Sequence, residues 1–437
     1  MIDHTARESV NNRAASFAER AVIFENFLDS VRDADGIVYA DVHARELRPF
    51  RSEDLDAKGF DVWVVWAHDF AGCLNYEDSL MATGRYINGK VLRHLATGGD
   101  DRALADAEHG VRAILAISKA GRDIEPGYLP KPYGGLRNAS ACMHASSDQY
   151  EQSLLALWSF RRACPRSELV PEIESAIVSW ADYFLRHDFA YRFNEFAWVA
   201  LDPTDMGDGV EVSVGRHGLG LCLPLFLMSY EITGHMKYDD ALRNRLVPCL
   251  RRWLAHPTGP GSGFSGHSNS ANLLALGLYY CITQGVAVEE AKAGLEICWN
   301  CAEQRLSRYD GLEYEYAHAG ASDDHPLEPH HLDAPLPADG WKFALWVSNV
   351  KTAGSVITAH TGALCQRVDA RAERAATIQR IMNEFVEPQS FLRWIDNNGG
   401  QIPPEHAWHA LLLPSVFPAA WLQAYHLMQM PTEMDGW

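Results

Sequence analysis

Residues 146–188 read SSDQYEQSLLALWSFRRACPRSELVPEIESAIVSWADYFLRHD. Apolar side chains recur every three to four positions on both sides of the break Cys164-Pro165-Arg166-Ser167. That is the period of two amphipathic helices. Ser146-Ser147-Asp148 supplies N-cap residues ahead of the first, since a short polar side chain can accept the backbone N–H groups that open a helix. A connector this short turns the second helix back against the first.

The same layout repeats outward. The periodicity predicts helices over 11–33, 71–97, 100–120, 146–163, 167–188, 216–234, 237–255, 267–284, 286–307, 342–366, 370–387 and 404–429. Further short connectors are Gly98-Gly99-Asp100, Thr233-Gly234-His235, Gln284-Gly285 and Arg367-Val368-Asp369. The connectors 34–70, 121–145, 189–215, 256–266, 308–341 and 388–403 are long and hold most of the Gly, Pro, Trp and His clusters. Twelve helices in six hairpins predict an all-α fold, an (α/α)6 toroid of six inner and six outer helices. Its long loops gather on one face, where function commonly sits. An open solenoid would carry a repeat of about 34 or 40 residues, and none is present. Strands are expected to be few, at Phe60–Trp66 and Glu313–Tyr316. No linker rich in Pro, Gly or Ser divides the chain, so residues 1–437 read as one domain.

The 437 residues carry 38 Lys plus Arg against 57 Asp plus Glu, a formal charge of −19. This balance excludes a surface built to hold a phosphate backbone and a polybasic membrane anchor. No apolar run reaches the roughly 18 residues that span a bilayer. The first residues, MIDHTARESVNNRAASF, lack the basic-then-apolar order of a secretory signal. The nine cysteines are an odd number and sit mostly in apolar helical runs, where a free Cys acts as a small hydrophobe. A reducing, cytoplasmic setting is therefore expected. So is a small-molecule partner, with neither nucleic acid nor membrane; the oligomeric state stays open.

Five constellations carry candidate chemistry. Asn75-Tyr76-Glu77-Asp78, with Tyr86 further on, reads either as acids favouring the start of a helix or as one wall of a polar pocket. His144, Asp148, Gln149 and Tyr150 follow the Gly/Pro-rich loop 126–135. Asp148 there is either a helix cap or a general acid at the mouth of an inner helix. Asp202, Asp205, Asp208 and Glu211 lack EF-hand spacing. Arg216-His217, which follows them, suits a carboxylate such as that of a uronic acid, because a guanidinium pairs with it in bidentate fashion. The Gly-rich run 259–266 leads to His267, Asn269 and Asn272 without the order of a P-loop. Tyr314, His318, Asp323, Asp324, His325, His330 and His331 form the densest cluster of His and acids. They lie on a proline-rich loop without helical i, i+4 spacing, so no metal is expected. Trp341, Trp394 and Trp408 suit stacking on sugar faces. Cys298-Trp299-Asn300-Cys301 falls on a helix with no second pair and reads as core thiols. No cofactor fingerprint is present.

Asp148-Gln149-Tyr150 followed by Leu154-Leu155-Ala156-Leu157-Trp158, and the turn Thr97-Gly98-Gly99-Asp100, resemble the six-hairpin glycosidase superfamily. Within it the likeness is to unsaturated glucuronyl and rhamnogalacturonyl hydrolases, over about residues 70–430. The resemblance implies a carboxylic acid that protonates a vinyl ether so that water adds and the sugar leaves. It implies Asp148 as that acid, with Asp78 or Glu77 as a second. The same toroid also serves lyases that use Tyr or His to remove a proton next to a uronic carboxyl while Asn or Arg neutralises it, for which Tyr150, His217, His267, Asn269, Arg216 and Tyr314 are candidates. A conventional two-carboxylate glycosidase, a sugar epimerase or isomerase and a non-catalytic sugar-binding scaffold remain alternatives, and a terpenoid-type dehydratase is a remote one. The leading expectation is a glycoside hydrolase acting on a uronic-acid-containing oligosaccharide. Its catalytic candidates are Asp148, Asp78, Glu77, His217 and Tyr150. Its binding candidates are His144, Gln149, Arg216, His267, Asn269, Tyr314, His318, Trp341 and Trp408.

Overall fold

The computed structural model describes residues 16–55, 70–193, 198–200, 212–255, 268–308, 356–384 and 412–431. The predicted strands Phe60–Trp66 and Glu313–Tyr316, and the predicted helical segment 342–355, lie outside them. The described residues are predominantly helical, as the periodicity predicts. The first helices are α1 (Phe17–Ser30), α2 (Phe70–Tyr76), α3 (Ser79–Ala96), α4 (Asp101–Gly121), α5 (Ser147–Ala163) and α6 (Val170–Arg186). Then come α7 (Val212–Thr233), α8 (Met236–Ala241), α9 (Val247–Ala255), α10 (Ser268–Thr283), α11 (Val288–Arg308), α12 (356–368), α13 (Ala372–Glu384) and α14 (Val416–Gln429).

Local chemistry sets many of the ends. Ser16 and Glu19 form a capping box on α1, which satisfies two opening donors reciprocally. The α3–α4 turn uses Gly98 and Gly99 at φ 73° and 130°, and Asp100 then accepts from the Ala103 N–H at 3.0 Å.

Three expectations are corrected. The helix expected over 71–97 breaks at Glu77-Asp78 into α2 and α3. The helix expected over 237–255 contains a π-turn, Leu242–Leu246, between α8 and α9; Pro248 lacks the N–H that a regular α-turn would use there. Within the helix expected over 404–429, Leu412–Pro414 is strand and a helix starts at Val416; residues 404–411 lie outside the described residues. That strand, β4, pairs antiparallel with β1 (Asp41–His43), Asp41 opposite Pro414. A second pair joins β2 (Ala190–Arg192) to β3 (Trp198–Ala200). Neither pair has a period-2 signal long enough to be read from sequence.

The packing is ordered. α3 lies between α5 and α14 and is backed by α4; α7 lies between α5 and α10 and is backed by α6; α10 is backed by α11, and α14 by α1. α3 and α5 run parallel, since Gly84 meets Gln152 and Asn88 meets Ser159 in the same order. A Cβ at Gly84 would stand 2.5 Å from the Gln152 carbonyl oxygen, so glycine is what lets these two helices touch. At mid-height, Arg85 of α3 donates to Asn272 of α10 and to Gln423 of α14, both at 2.9 Å, and lies 3.5 Å from His360 Nδ1 of α12. Glu151 of α5 is fully buried beside Gly220 of α7. Eight cysteines are free, most of them buried, as their apolar context predicts; the side chain of Cys301 lies outside the described residues. No helix among the described residues is long and apolar enough to cross a membrane.

Candidate functional site

The site grows from the loop 126–135 and the break between α2 and α3. Tyr150 pins the loop. Its hydroxyl accepts from the Leu129 N–H at 2.7 Å and donates to the Gly127 carbonyl at 2.9 Å. Its ring is fully buried against Trp180, Tyr183 and Phe184. Tyr150 is therefore given a structural task, and its hydroxyl is already engaged on both sides. The loop then carries the Lys131 N–H to the His144 carbonyl at 2.7 Å and the Gly134 N–H to the Gly72 carbonyl at 3.2 Å.

These ties bury Lys131 against the helix break. Its ammonium lies 3.5 Å from Asp78 Oδ1 and 3.7 Å from Glu77 Oε1. Burial opposes the lysine's charge, but Asp78, Glu77 and Asp148 outweigh it and raise its pKa above the usual range. Asp78 stands at the N-cap position of α3 yet makes no side-chain cap bond. Its carboxyl is thus not spent on a cap bond, although it stands at the helix start where the sequence reading put it. Of the Asp78 side chain, 54% stays open to solvent. Burial lifts its pKa to about 6, with Lys131 opposing and the charges of Asp148 and Glu77 adding.

Asp148 opens α5 alongside. One oxygen accepts from the Ser146 hydroxyl and, at 2.9 Å, from the Gln149 N–H. Buried Gln149 ties the two helix starts together, because its side-chain amide donates to the Glu77 carbonyl at 2.6 Å. His144 is buried, with Nδ1 2.6 Å from the Tyr133 hydroxyl and Phe193 edge-on at 4.6 Å. Burial, with Lys131 next, pushes its pKa down to about 3. At neutral pH it is an uncharged support for this wall.

Sequence reasoning missed two residues of the cluster. Lys131 sat unmarked between prolines, where only its flanking in Pro130-Lys131-Pro132 hinted at a fixed position. Asp41 is brought in by β1, and its partner strand lies at the far end of the chain. Burial, then the charges of Asp78 and Glu77, raise the Asp41 pKa to about 8.

The proposed pocket wall of Asn75, Tyr76 and Tyr86 is corrected. Asn75 exchanges two bonds with the Phe50 backbone, Tyr76 donates to Asp33, and Tyr86 donates to Asp29. Arg216 and His217 fall on the first turns of α7, and Asn269 on the first turn of α10, with side chains outside the described residues. His267, Tyr314, His318, Trp341 and Trp408 lie outside the described residues altogether. Among the described residues no group of three or more His, Cys, Asp and Glu has metal-holding geometry.

Asp41 makes a stability prediction with a definite sign. Its folded pKa of about 8 lies above the ordinary 3.8. The stability it contributes is complete below pH 3.8 and is lost as pH rises through 8. Asp41→Asn removes that loss. Its thermal midpoint is expected to match wild type near pH 4 and to exceed it by a few degrees at pH 8.5, about the size that ionising one recessed carboxyl implies. A midpoint difference independent of pH would show that Asp41 titrates normally.

No family model, curated protein or solved structure matches this chain.

Proposed function

We propose that the chain is a glycoside hydrolase acting on a uronic-acid-containing oligosaccharide, with its helices closed into an (α/α)6 toroid and the site at the starts of the inner helices. The closure is supported by the order α14, α3, α5, α7, α10 and by Arg85, which bridges α3 to α10, α12 and α14. The observation that carries the function is the pairing of two solvent-reachable carboxyls on adjacent helix starts over a buried lysine. One of them, Asp78, has its pKa raised by burial to about 6.

Such a pair does acid–base work when the two environments differ. Asp78, protonated below about pH 6, donates its proton to the leaving oxygen. Asp148, held as an acceptor by Ser146 and Gln149, takes a proton from the attacking water. The sum is the addition of water across the glycosidic bond. This assigns the acid to Asp78, whereas the family resemblance implied Asp148. Arg216, on the first turns of α7, is the proposed receiver of the sugar carboxylate. The free, buried cysteines support a reducing, cytoplasmic setting.

The test is a panel of saturated and unsaturated uronic-acid oligosaccharides, followed by ultraviolet absorbance of the unsaturated ring and by reducing-end release. Reducing ends appearing with steady or falling absorbance support the reading. Rising absorbance means elimination and overturns it.

A further inference from the structure

At the opposite ends of the same helices lies a second site. A small apolar pocket opens between α3, α5, α10, α12 and α14. Its α5 residues lie seven to fourteen positions along the helix from Asp148, or roughly 10–20 Å at the helical rise. Its body is apolar, with Leu92, Leu155, Leu276, Leu364 and Leu427 on its sides. Trp158, Tyr279 and Tyr280 border it as largely buried rings, Trp158 edge to face with Tyr280 at 5.7 Å and carrying the Arg161 guanidinium 4.6 Å from its ring centroid. An open apolar pocket in an otherwise close-packed helical layer leaves surface in water that a ligand would cover.

Its rim is polar and positive. Arg162 lines the cavity one turn beyond Trp158, on the same face of α5. Among the described residues it has no hydrogen bond or ion pair. The nearby carboxylates are already occupied: Arg161 pairs with Glu174 at 2.7 Å and with Glu231 at 3.3 Å. Burial and then the Glu231 charge raise the Tyr280 pKa, and the Arg162 charge opposes them. Asn88 and Ser159 add a polar pair at the rim, 3.4 Å apart. Glu231 stands on the other side of the Tyr280 phenol, which donates to it at 3.5 Å, so Arg162 is the cation left to meet an incoming anion at this end.

We propose that this cavity binds a small aryl carboxylate, its ring among Trp158, Tyr279 and Tyr280 and its carboxylate on Arg162. The apolar walls favour the ring by removing it from water. The guanidinium supplies a charge-assisted, planar partner for the carboxylate. The site stands on its own and does not depend on the saccharide reading.

The test uses the full chain and phenylacetate as the probe, with the neutral isostere phenylacetamide beside it, by titration calorimetry. Phenylacetate is expected to bind with a Kd of about 1 mM or tighter. The amide, and phenylacetate on Arg162→Gln, are each expected to bind about tenfold more weakly. Arg162 is partly exposed at a helix end, so the variant is expected to fold, and circular dichroism checks it. Quenching of tryptophan fluorescence on binding is expected to disappear in Trp158→Phe. No binding at millimolar phenylacetate, or equal binding of acid and amide unchanged in Arg162→Gln, would overturn the proposal.

Discussion

Asp78→Asn is expected to lower kcat/KM on the cleaved saccharide by about 10²–10⁴-fold, the usual worth of a positioned general acid. The substitution keeps shape and removes only the transferable proton. Asp78 caps nothing and is half open to solvent, so the fold is expected to survive. Its raised pKa makes the sign of the stability change definite. A carboxyl raised from 3.8 to about 6 gives stability that is lost as pH rises through 6. At pH 8 the Asn variant is therefore expected to be as stable as wild type or slightly more so. The wild-type pH profile should fall on its alkaline side near 6 as Asp78 ionises, and the variant should lose that limb. A variant retaining more than a tenth of the activity would remove Asp78 from the acid's role.

Arg85→Met is expected to cost about 3–5 kcal/mol of stability, read as a lowered denaturation midpoint. Arg85 is fully buried and holds together side chains from four helices. Burial lowers its pKa to about 10, with the charges of Glu151 and Asp148 opposing. Methionine fills comparable volume but strands Asn272 Oδ1 and Gln423 Oε1 without their donor. Each stranded polar group costs about 1–3 kcal/mol. Glu151 sharpens the effect. Neither of its oxygens has a hydrogen-bond partner among the described residues, and burial raises its pKa well above the ordinary range. Without Arg85 nearby, its charged form is still less accessible. A loss below about 1 kcal/mol would mean that the helices meet elsewhere and that Arg85 does not organise their axis.

The helices were legible because each needs only its own period and caps. Residues 146–163 and 100–120 were expected, and Ser147–Ala163 and Asp101–Gly121 are observed. The errors fall where distant chain decides. Apolar periodicity runs through Glu77-Asp78 without interruption, and the carbonyl freed at Glu77 is satisfied by Gln149, which no local pattern announces. Pro414 lacks the N–H that a continuing helix would use and sits in the short edge pairing with β1, and α14 starts at Val416. Within the candidate site, the acids at the helix starts were visible by type and position. Lys131 and Asp41 were not, because their roles come from a loop and a three-residue strand placed by tertiary packing. Tyr150 was misread for the opposite reason. An aromatic beside an acid looks like chemistry until its hydroxyl is found bonded on both sides.

The central claim is that this cluster keeps carboxyl protons near neutral pH, and it can be tested without knowing the substrate. Infrared titration of the protein carrying isotope-labelled aspartate should show carboxyl bands disappearing near pH 6 and near pH 8. The first should be absent from Asp78→Asn and the second from Asp41→Asn. If every aspartate titrates below pH 5, as unperturbed side chains do, the cluster holds no available proton and the proposed acid–base chemistry fails.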